Sequence, residues 1–278
     1  DSRLVIETID PHLGAEDVRR YFALDLDLPA ILHSIDVDGQ IHAAIECHRG
    51  LRVLRQDPWE CLASFICSSF NNIKRIQGMI ERLSQAYGSP VAFIPPPFAA
   101  TNGGSAHSAG TNGSAKGGGI NGFRGSSFPS PAAIAGAPER QLRQLGLGFR
   151  APYLKCTARR IADGKLKFEQ LRAVEYASAR TALMACDGVG EKVADCVALF
   201  GLEKYEAFPI DVWMERAMRY YFRRRKVTAK QMHVFAHRQY GRYAGYAQQY
   251  LYHYVRTARV PVKTPPAAAA PQPVQALG

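Results

Sequence analysis

The sequence lacks long apolar runs and closely spaced cysteine pairs, and these absences exclude two broad classes of protein. No apolar stretch reaches the roughly 20 residues that a membrane-spanning helix needs. The six cysteines form no C-x-x-C pair, and most lie in apolar helical patterns, which is typical of reduced, buried thiols. We therefore expect a protein without a disulfide framework, working in a reducing, intracellular setting.

Acidic residues are also in short supply. There are 24 Asp and Glu against 35 Lys and Arg, which gives a formal net charge of +11 at pH 7. Such an excess favours a polyanionic partner, and nucleic acid is the commonest one, although a solvated basic surface would have the same composition. The 278 residues suffice for one large domain or two closely associated ones.

Strand signals are scarce and are limited mainly to "RLVIET" near the start, whereas helical periodicity dominates the rest. In "DPWECLASFICSSF", Asp57 is placed to cap a helix and Pro58 suits its first position. A second helix in "NNIKRIQGMIERLSQAYG" ends at Gly88, and a later one begins at Thr228. Further helical patterns are "ERQLRQLG", "PYLKCTARRIADG", "EYASARTALMA", "EKVADCVALFG", "DVWMERAMRYYF" and "GYAQQYLYHYVRTAR". The sequence therefore predicts a mostly α fold.

Two segments are too poor in large apolar residues to pack. Gly, Ser and Asn dominate from about residue 98 to 127, which predicts a disordered surface insertion. The composition of residues 261–278 predicts a disordered tail.

The stretch "CDGVGEKVADC" contains a glycine turn followed by a lysine. Gly188 and Gly190 expose backbone N–H groups where a new helix begins with the positive end of its dipole, so the turn can hold a phosphate. This signal is weak, since the same turn occurs in proteins that only bind DNA. Lys192 lies in the first helical turn, where a cation is unfavourable. An amine attacks only when neutral, and burial opposes its charge, so Lys192 is a candidate nucleophile; otherwise it is a surface phosphate contact.

A candidate partner for Lys192 lies downstream in "FPIDV". Asp211 is positioned to cap the next helix, with Pro209 stiffening the approach, and an isolated Asp is more often a cap alone. Paired with Lys192, it is a carboxylate that could steady a developing sugar cation or shuttle a proton.

These motifs together resemble a known family. "GVGEKVADC" followed by "FPIDV" is similar to the helix-hairpin-helix, Gly/Pro/Asp superfamily of base-excision DNA glycosylases. "LRQDPWECLASFICSS", "LGLGFRAPYL", "GVGEKVADCVAL" and "YAGYAQQYLY" resemble the eukaryotic-type 8-oxoguanine DNA glycosylases, in the same order from about Tyr21 to Arg256. The resemblance implies two helical lobes, with a catalytic domain at residues 57–260. Residues 1–56 would hold the first helices and only a remnant of an amino-terminal β-sheet domain.

The resemblance also implies the chemistry. Enzymes of this family extrude the damaged nucleotide from the duplex, because the glycosidic bond is out of reach inside the stack. A lysine then attacks the sugar C1′, displaces 8-oxoguanine and forms an imine, after which β-elimination can nick the strand. Lys192 matches that lysine and Asp211 matches the assisting aspartate.

By the same matching, the base pocket is formed by Gln248, Tyr252, Cys196, Pro209 and Phe65. Gln248 would bond the edge of the flipped base, Tyr252 would stack on one face where a Phe is usual, and Cys196 would lie against the other. Without the resemblance, Gln248 would be interpreted as a solvated helix residue, and Tyr252 and Cys196 as core residues.

The DNA-binding residues that the resemblance implies are Gly188, Gly190, Asn71, Arg75, Phe149 and Arg150. Arg75 and Arg150 match two arginines that read the cytosine opposite the lesion, and Phe149 would wedge into the duplex.

Three departures from the family pattern stand out. Phe70 replaces an Asn that fills the vacated space in the stack, so stacking could replace hydrogen bonding and relax the discrimination for cytosine. Trp213 replaces a His that approaches a phosphate. The amino-terminal sheet domain, which supplies a carbonyl that recognises 8-oxoguanine, is reduced to a remnant.

No cofactor is expected from the resemblance. Some relatives hold an iron–sulfur cluster in a four-cysteine loop, but no cysteine follows Cys196, so we expect none. A monovalent cation could sit in the hairpin. The expected partner is duplex DNA with 8-oxoguanine opposite cytosine, and no membrane partner is expected. The protein is expected to act as a monomer. Its expected location is the nucleoid or cytoplasm if it is bacterial, or the nucleus if it is eukaryotic. The alternatives are a glycosylase of the same fold for an alkylated base, or a noncatalytic helix-hairpin-helix DNA-binding protein.

Overall fold

The computed structural model describes residues 13–93, 123–222 and 227–257, and within them the protein is mostly helical, as expected. The helices, in chain order, are α1 (Ala15–Tyr21), α2 (Leu28–Ile35), α3 (Gly39–Cys47), α4 (Pro58–Ser68), α5 (Ile73–Tyr87), α6 (Pro131–Gly136), α7 (Glu139–Leu142), α8 (Arg150–Ala162), α9 (Phe168–Ala173), α10 (Tyr176–Met184), α11 (Glu191–Gly201), α12 (Val212–Tyr221), α13 (Ala229–Tyr240) and α14 (Ala244–Thr257). A wide turn at Arg143–Leu147 joins α7 to α8, and a 3-10 turn at Gly241–Tyr243 joins α13 to α14. None of the helices in these ranges is long and apolar enough to cross a membrane.

A small antiparallel sheet was not predicted. Strand β1 (Pro90–Phe93) pairs with β2 (Phe123–Ser126), so that Pro90 lies opposite Ser126. The predicted disorder up to residue 127 is therefore wrong at its carboxyl end, because 123–126 form a strand. The strands are far apart in sequence, so no short turn marked them as a pair. The segment "RLVIET", the rest of the predicted insertion and the predicted tail lie outside the described residues.

The predicted helix starts are confirmed by side-chain caps. The Asp57 carboxylate accepts a hydrogen bond from Glu60 N at 2.8 Å, at the start of α4. Thr228 and Gln231 cap each other's backbone N–H groups at the start of α13. Each cap satisfies a donor that the first helical turn cannot pair internally, which fixes where the helix begins.

The helices form two lobes with separate apolar cores. Helices α4 to α11 enclose the first core, whereas α2, α3 and α12 to α14 enclose the second. Within the described residues, α11 is the helix with buried side chains in both: Val193 and Val197 are buried in the first core, and Ala198 and Leu199 in the second. The two lobes thus meet on one helix, as the expected two-lobed fold requires.

A buried carboxylate links α11 to its neighbours. Asp195 is fully buried. It accepts hydrogen bonds from the Tyr176 hydroxyl at 2.6 Å and from Arg180 Nε at 2.7 Å, both on α10. On α13, His233 Nε2 lies 3.3 Å from its other oxygen. Burial and the Asp195 carboxylate raise the pKa of Tyr176, so the phenol stays protonated and remains a donor. One side chain therefore ties three helices together.

Gly245 allows α14 to lie unusually close to its neighbours. A Cβ at this position would be 2.4 Å from Leu199 Cδ1 and 2.8 Å from the carbonyl oxygens of Tyr205 and Ala207. The Gly245 N–H donates to the Tyr205 carbonyl at 2.7 Å. Glycine thus brings α14 against both α11 and the segment that leads to Asp211.

We expect Gly245→Ala to lower the free energy of unfolding by about 1–3 kcal/mol, because the added methyl group overpacks this contact. Urea denaturation followed by circular dichroism measures the change. Gly136→Ala, at the end of α6, is the matched control: its Cβ meets nothing within 4 Å, so it should be neutral or slightly stabilising. Equal effects of the two substitutions would contradict the close contact.

Replacement of Asp195 by Ala should cost about 3 kcal/mol of stability, because the Tyr176 hydroxyl and Arg180 Nε lose their shared acceptor. Arg180 keeps its pair with the exposed Glu191. The control is Asp163→Ala, since Asp163 is exposed and only 3.6 Å from Lys165. Surface pairs of this kind contribute at most about 1 kcal/mol. A small effect at Asp195 in the same denaturation experiment would show that the network does not hold the helices.

Candidate active site

The turn between α10 and α11 forms a helical hairpin whose glycines differ in what they require. Gly188 has a φ of +77°, and a Cβ there would lie 2.6 Å from the Tyr153 ring, so both conformation and packing demand glycine. Gly190 is the N-cap of α11 and has no side-chain cap. The space around it is open. The first turn of α11 therefore has no side-chain cap for its N–H groups, and the binding of a phosphate there stays a prediction.

A cleft of about 790 Å³ opens beside this hairpin. Its walls are the turn between α4 and α5, the hairpin with the start of α11, and the start of α12. The lining residues are Ser68, Ser69, Phe70, Asn71, Gly188, Val189, Gly190, Glu191, Lys192, Val193, Asp211 and Val212. Five predicted site residues are therefore brought together: Asn71, Gly188, Gly190, Lys192 and Asp211.

Lys192 is half-buried and has an apolar neighbourhood. Its Nζ lies 4.8 Å from the centroid of the Phe65 ring, and Phe65 in turn stacks on Phe200 with a centroid distance of 5.9 Å. Cys196 lies one helical turn further along α11. Burial raises the pKa of the Cys196 thiol to about 12, although the Lys192 ammonium opposes the shift, so the thiol is neutral at physiological pH. The predicted residues Phe65 and Cys196 thus surround the candidate nucleophile.

Asp211 has two functions at once. Its Oδ1 accepts hydrogen bonds from Trp213 N at 3.0 Å and from Met214 N at 2.9 Å, which confirms the predicted cap of α12. The same carboxylate lines the cleft that Lys192 enters. Because capping fixes its position, Asp211 presents a negative charge to the cleft without relying on Lys192 to hold it there.

A hydrogen bond joins two predicted base-pocket residues, Gln248 and Pro209. Gln248 is only 3% exposed, so its interpretation as a solvated helix residue is wrong. Its Nε2 donates to the Pro209 carbonyl at 3.1 Å, and its Oε1 accepts from Gln249 Nε2 at 2.5 Å. Tyr252 follows one turn later on α14, half-buried, and its hydroxyl accepts from Arg256 Nη1 at 2.9 Å. These residues do not line the cleft beside Lys192 in the free protein.

The predicted DNA-reading residues divide into exposed and buried ones. Arg75 is exposed near the start of α5, and Phe149 is 48% exposed. Arg150, by contrast, is only 8% exposed. Its Nε donates to the Ser69 carbonyl at 2.9 Å and its Nη2 to the Phe70 carbonyl at 3.2 Å. The cytosine-reading roles of Arg75 and Arg150 stay predictions.

Sequence reasoning missed two features near the site. The exposed Arg216 lies over the ring of Trp213, with Cζ 4.6 Å from the centroid, so a cation is present beside the residue that replaces the family's His. The sequence did contain a signal for this contact, since an aromatic residue and an arginine lie three positions apart at the start of a helix. The second missed feature is the buried Asp195, for which the available signal was a charged residue inside the apolar run of α11. Among the described residues, no group of three or more His, Cys, Asp or Glu is arranged to hold a metal ion.

Two family models together match most of the chain. Residues 13–62 match the 8-oxoguanine DNA glycosylase, N-terminal domain. Residues 63–238 match the HhH-GPD superfamily of base excision DNA repair proteins. The first match spans α1 to α3 and runs into α4, and the second contains the hairpin, Lys192 and Asp211.

Individual proteins agree with these matches. A probable N-glycosylase/DNA lyase from Methanothermobacter thermautotrophicus is 30% identical over 261 residues, 87% of this chain and 74% of the relative. The Arabidopsis thaliana N-glycosylase/DNA lyase OGG1 is 34% identical over 73% of this chain, which spans only 52% of that protein.

A solved structure is similar over nearly the same extent. It is that of Clostridium acetobutylicum 8-oxoguanine glycosylase/lyase in complex with double-stranded DNA containing cytosine opposite 8-oxoguanine. The TM-score is 0.75 and the identity 29%, with 89% of this chain and 78% of that chain covered. Motif order, cleft geometry and family matches therefore agree that the chain belongs to the HhH-GPD superfamily of base excision DNA repair proteins, in its 8-oxoguanine DNA glycosylase branch.

Proposed function

We propose that this protein is a base-excision DNA glycosylase that removes 8-oxoguanine from duplex DNA and carries an associated abasic-site lyase activity. The observation that supports this most directly is the cleft, which Lys192 and Asp211 line together with the anion-binding hairpin turn at Gly188 and Gly190. A noncatalytic DNA-binding protein would need the hairpin but not a lysine and a carboxylate in one cleft.

The reaction follows from a lysine amine beside an extruded nucleotide. Neutral Lys192 Nζ attacks C1′, the C1′–Nζ bond forms as the C1′–N9 bond breaks, and the departing base takes the bonding electrons and a proton. Opening of the C1′–O4′ bond then gives an imine. Loss of a C2′ proton expels the 3′ phosphate and nicks the strand. This chemistry needs no metal or redox cofactor.

The groups around Lys192 have distinct parts in this scheme. Asp211 stabilises positive charge that develops on the sugar as the glycosidic bond breaks, and can carry a proton between steps. Phe65 and the neutral thiol of Cys196 keep one side of the amine apolar, so water is excluded from it. Neither residue competes with the amine for the sugar, because one is a phenyl ring and the other a neutral thiol.

Gln248 is the proposed reader of the extruded base. Its amide is already oriented, since Nε2 is committed to the Pro209 carbonyl at 3.1 Å. Gln248 is buried outside the cleft in this structure. Its oxygen therefore becomes the acceptor for N–H groups on the base edge when Gln249 yields its bond and the bound duplex opens the pocket to the base. Tyr252, one turn later, offers its ring for stacking. A solved structure similar to this chain is that of an 8-oxoguanine glycosylase/lyase in complex with DNA containing cytosine opposite 8-oxoguanine, and we propose the same duplex as the substrate here.

The basic surface serves the duplex, and the protein acts where DNA is, inside the cell. The first-turn N–H groups of α11 would hold one phosphate, and Arg216 beside Trp213 is placed to contact another. Whether the compartment is a bacterial nucleoid or a nucleus follows from the organism. A monomer suffices, because a single chain provides every group named in the reaction, and a monovalent cation in the hairpin would add only to backbone binding.

Borohydride trapping tests the nucleophile and the lesion together. Wild-type protein should form a covalent adduct with a duplex that carries one 8-oxoguanine opposite cytosine, and with an abasic-site duplex, because borohydride reduces the imine to a stable amine. Lys192→Gln should abolish both adducts. Lys165→Gln, at a 70% exposed side chain outside the cleft, is the matched control and should trap normally.

The pattern of trapping separates the alternatives. An adduct on the abasic duplex alone would support the lyase activity but reject 8-oxoguanine as the lesion. Duplexes with alkylated bases would then be tested as substrates. Absence of an adduct on either duplex would support the noncatalytic DNA-binding alternative.

Salt dependence tests the proposed DNA contacts. Affinity for an abasic-analogue duplex should fall steeply as salt rises from 50 to 200 mM, on the order of tenfold or more, because each neutralised phosphate releases counterions. Arg216→Gln should reduce the slope of log K against log salt by about one unit. Arg49→Gln, at a 73% exposed arginine paired with Glu46, should leave the slope unchanged. A flat dependence in the wild type would refute an electrostatic DNA surface.

A further inference from the structure

Phe70, on the rim of the cleft, is exposed to an unusual degree. Its side chain is 96% exposed, the highest value among the large apolar side chains that the structure describes. It lies in the turn between α4 and α5 and lines the cleft with Lys192 and Asp211. Because the Phe70 ring stays in water, it contributes no hydrophobic free energy to folding, and core packing does not explain why a phenylalanine is present.

The backbone of Phe70 is equally unfavourable. Its φ is +50°, in the left-handed region. Glycine and asparagine adopt this conformation readily after a helix, whereas a phenylalanine is strained in it. Since neither burial nor backbone preference favours a phenylalanine here, the residue is best explained by a role in binding.

Arg150 holds this strained turn in place. Its guanidinium donates from Nε to the Ser69 carbonyl at 2.9 Å and from Nη2 to the Phe70 carbonyl at 3.2 Å. A third bond runs from Nη1 to the Leu147 carbonyl at 3.4 Å. The Phe149 ring covers the guanidinium, with Cζ 4.3 Å from its centroid. The donor fork of Arg150 is thus directed at protein carbonyls and not at the cleft.

We propose that Phe70 inserts into the base stack at the space left by the extruded nucleotide, and that Arg150 positions Phe70 instead of reading the opposite base. The inference rests on the proposed function and specifies its substrate: lesions in duplex DNA with little regard to the base opposite. An inserted ring stacks on any base, because every base has an aromatic face. Reading the edge of cytosine requires donors that face it, and each of the three guanidinium nitrogens of Arg150 already donates to a backbone carbonyl.

Binding to an unreactive duplex tests this directly. The probe is a duplex with a tetrahydrofuran abasic analogue opposite C, A, G or T, which cannot form an imine. Wild-type affinities should agree within about threefold across the four duplexes. Phe70→Ala should weaken all four by roughly tenfold, the magnitude of one lost base–aromatic contact, and Phe70→Trp should restore them. Val234→Ala, at a 49% exposed apolar residue outside the cleft, is the matched control and should bind as the wild type does.

Two further variants separate positioning from base reading. Arg150→Lys keeps the charge but loses the planar fork, so it should weaken binding opposite all four bases equally. Phe70→Asn should raise the melting temperature by about 2–4 °C, because asparagine tolerates the left-handed backbone, while it weakens binding. Both measurements are made on purified full chain, with thermal unfolding as the check on folding.

Several results would overturn the inference. They are a wild-type preference above tenfold for cytosine, an Arg150→Lys loss confined to cytosine, and a Phe70→Ala or Phe70→Asn variant that binds as tightly as the wild type. The test is independent of the lesion assignment. If 8-oxoguanine is not excised but binding to the analogue still depends on Phe70, the proposed substrate is rejected and the inference stands. If 8-oxoguanine is excised but binding to the analogue does not depend on Phe70, only the inference is rejected.

Discussion

The buried carboxylate of Asp195 constrains the arrangement of both lobes. A charge that is fully removed from water destabilises the fold unless donors surround it. Those donors come from Tyr176 and Arg180 on α10, with His233 of α13 beside the second oxygen. Since α10 belongs to the first lobe and α13 to the second, α11 cannot rotate or slide without leaving the charge unpaired. This interaction therefore orients α11 against α10, and the approach of His233 to 3.3 Å adds a contact with α13.

The position of the candidate nucleophile follows from that constraint. Lys192 lies one turn before Asp195 and Cys196 on the same helix, so a fixed α11 directs its amine toward the cleft. Asp211 is positioned independently, by capping α12 and by the close approach of α14 at Gly245 to the preceding segment. The two groups come from parts of the chain that are separately held, which allows both to line one cleft without an ion pair to bring them together. Such prior placement reduces the reorganisation that a reaction needs.

The parts of this structure that the sequence predicted are those governed by local rules. Caps at Asp57, Asp211 and Thr228 and the glycine turn at Gly188 depend on residues within a few positions, and all were found as expected. What depends on distant contacts was missed: the pairing of β1 with β2, the burial of Gln248 with its bond to the Pro209 carbonyl, and the carbonyls to which Arg150 donates. The residues Tyr176, Arg180 and His233 carry no mark in sequence that they converge on Asp195. The resemblance to family motifs predicted the site residues, because motifs shared by a family come from chains in which the same distant residues are brought together.

The residues that break local rules cluster at one place. Lys192 puts a cation in the first turn of a helix, Phe70 holds an exposed ring on a left-handed backbone, and Arg150 buries a guanidinium against carbonyls. Each of these is unfavourable for folding when taken alone. Elsewhere in the described part of the chain the exceptions are isolated: Ala23 and Glu203 also have positive φ values, but neither lines the cleft. Folding alone would scatter such violations, whereas a binding surface for a bent, opened duplex concentrates them where the extruded nucleotide and the remaining stack must be held apart.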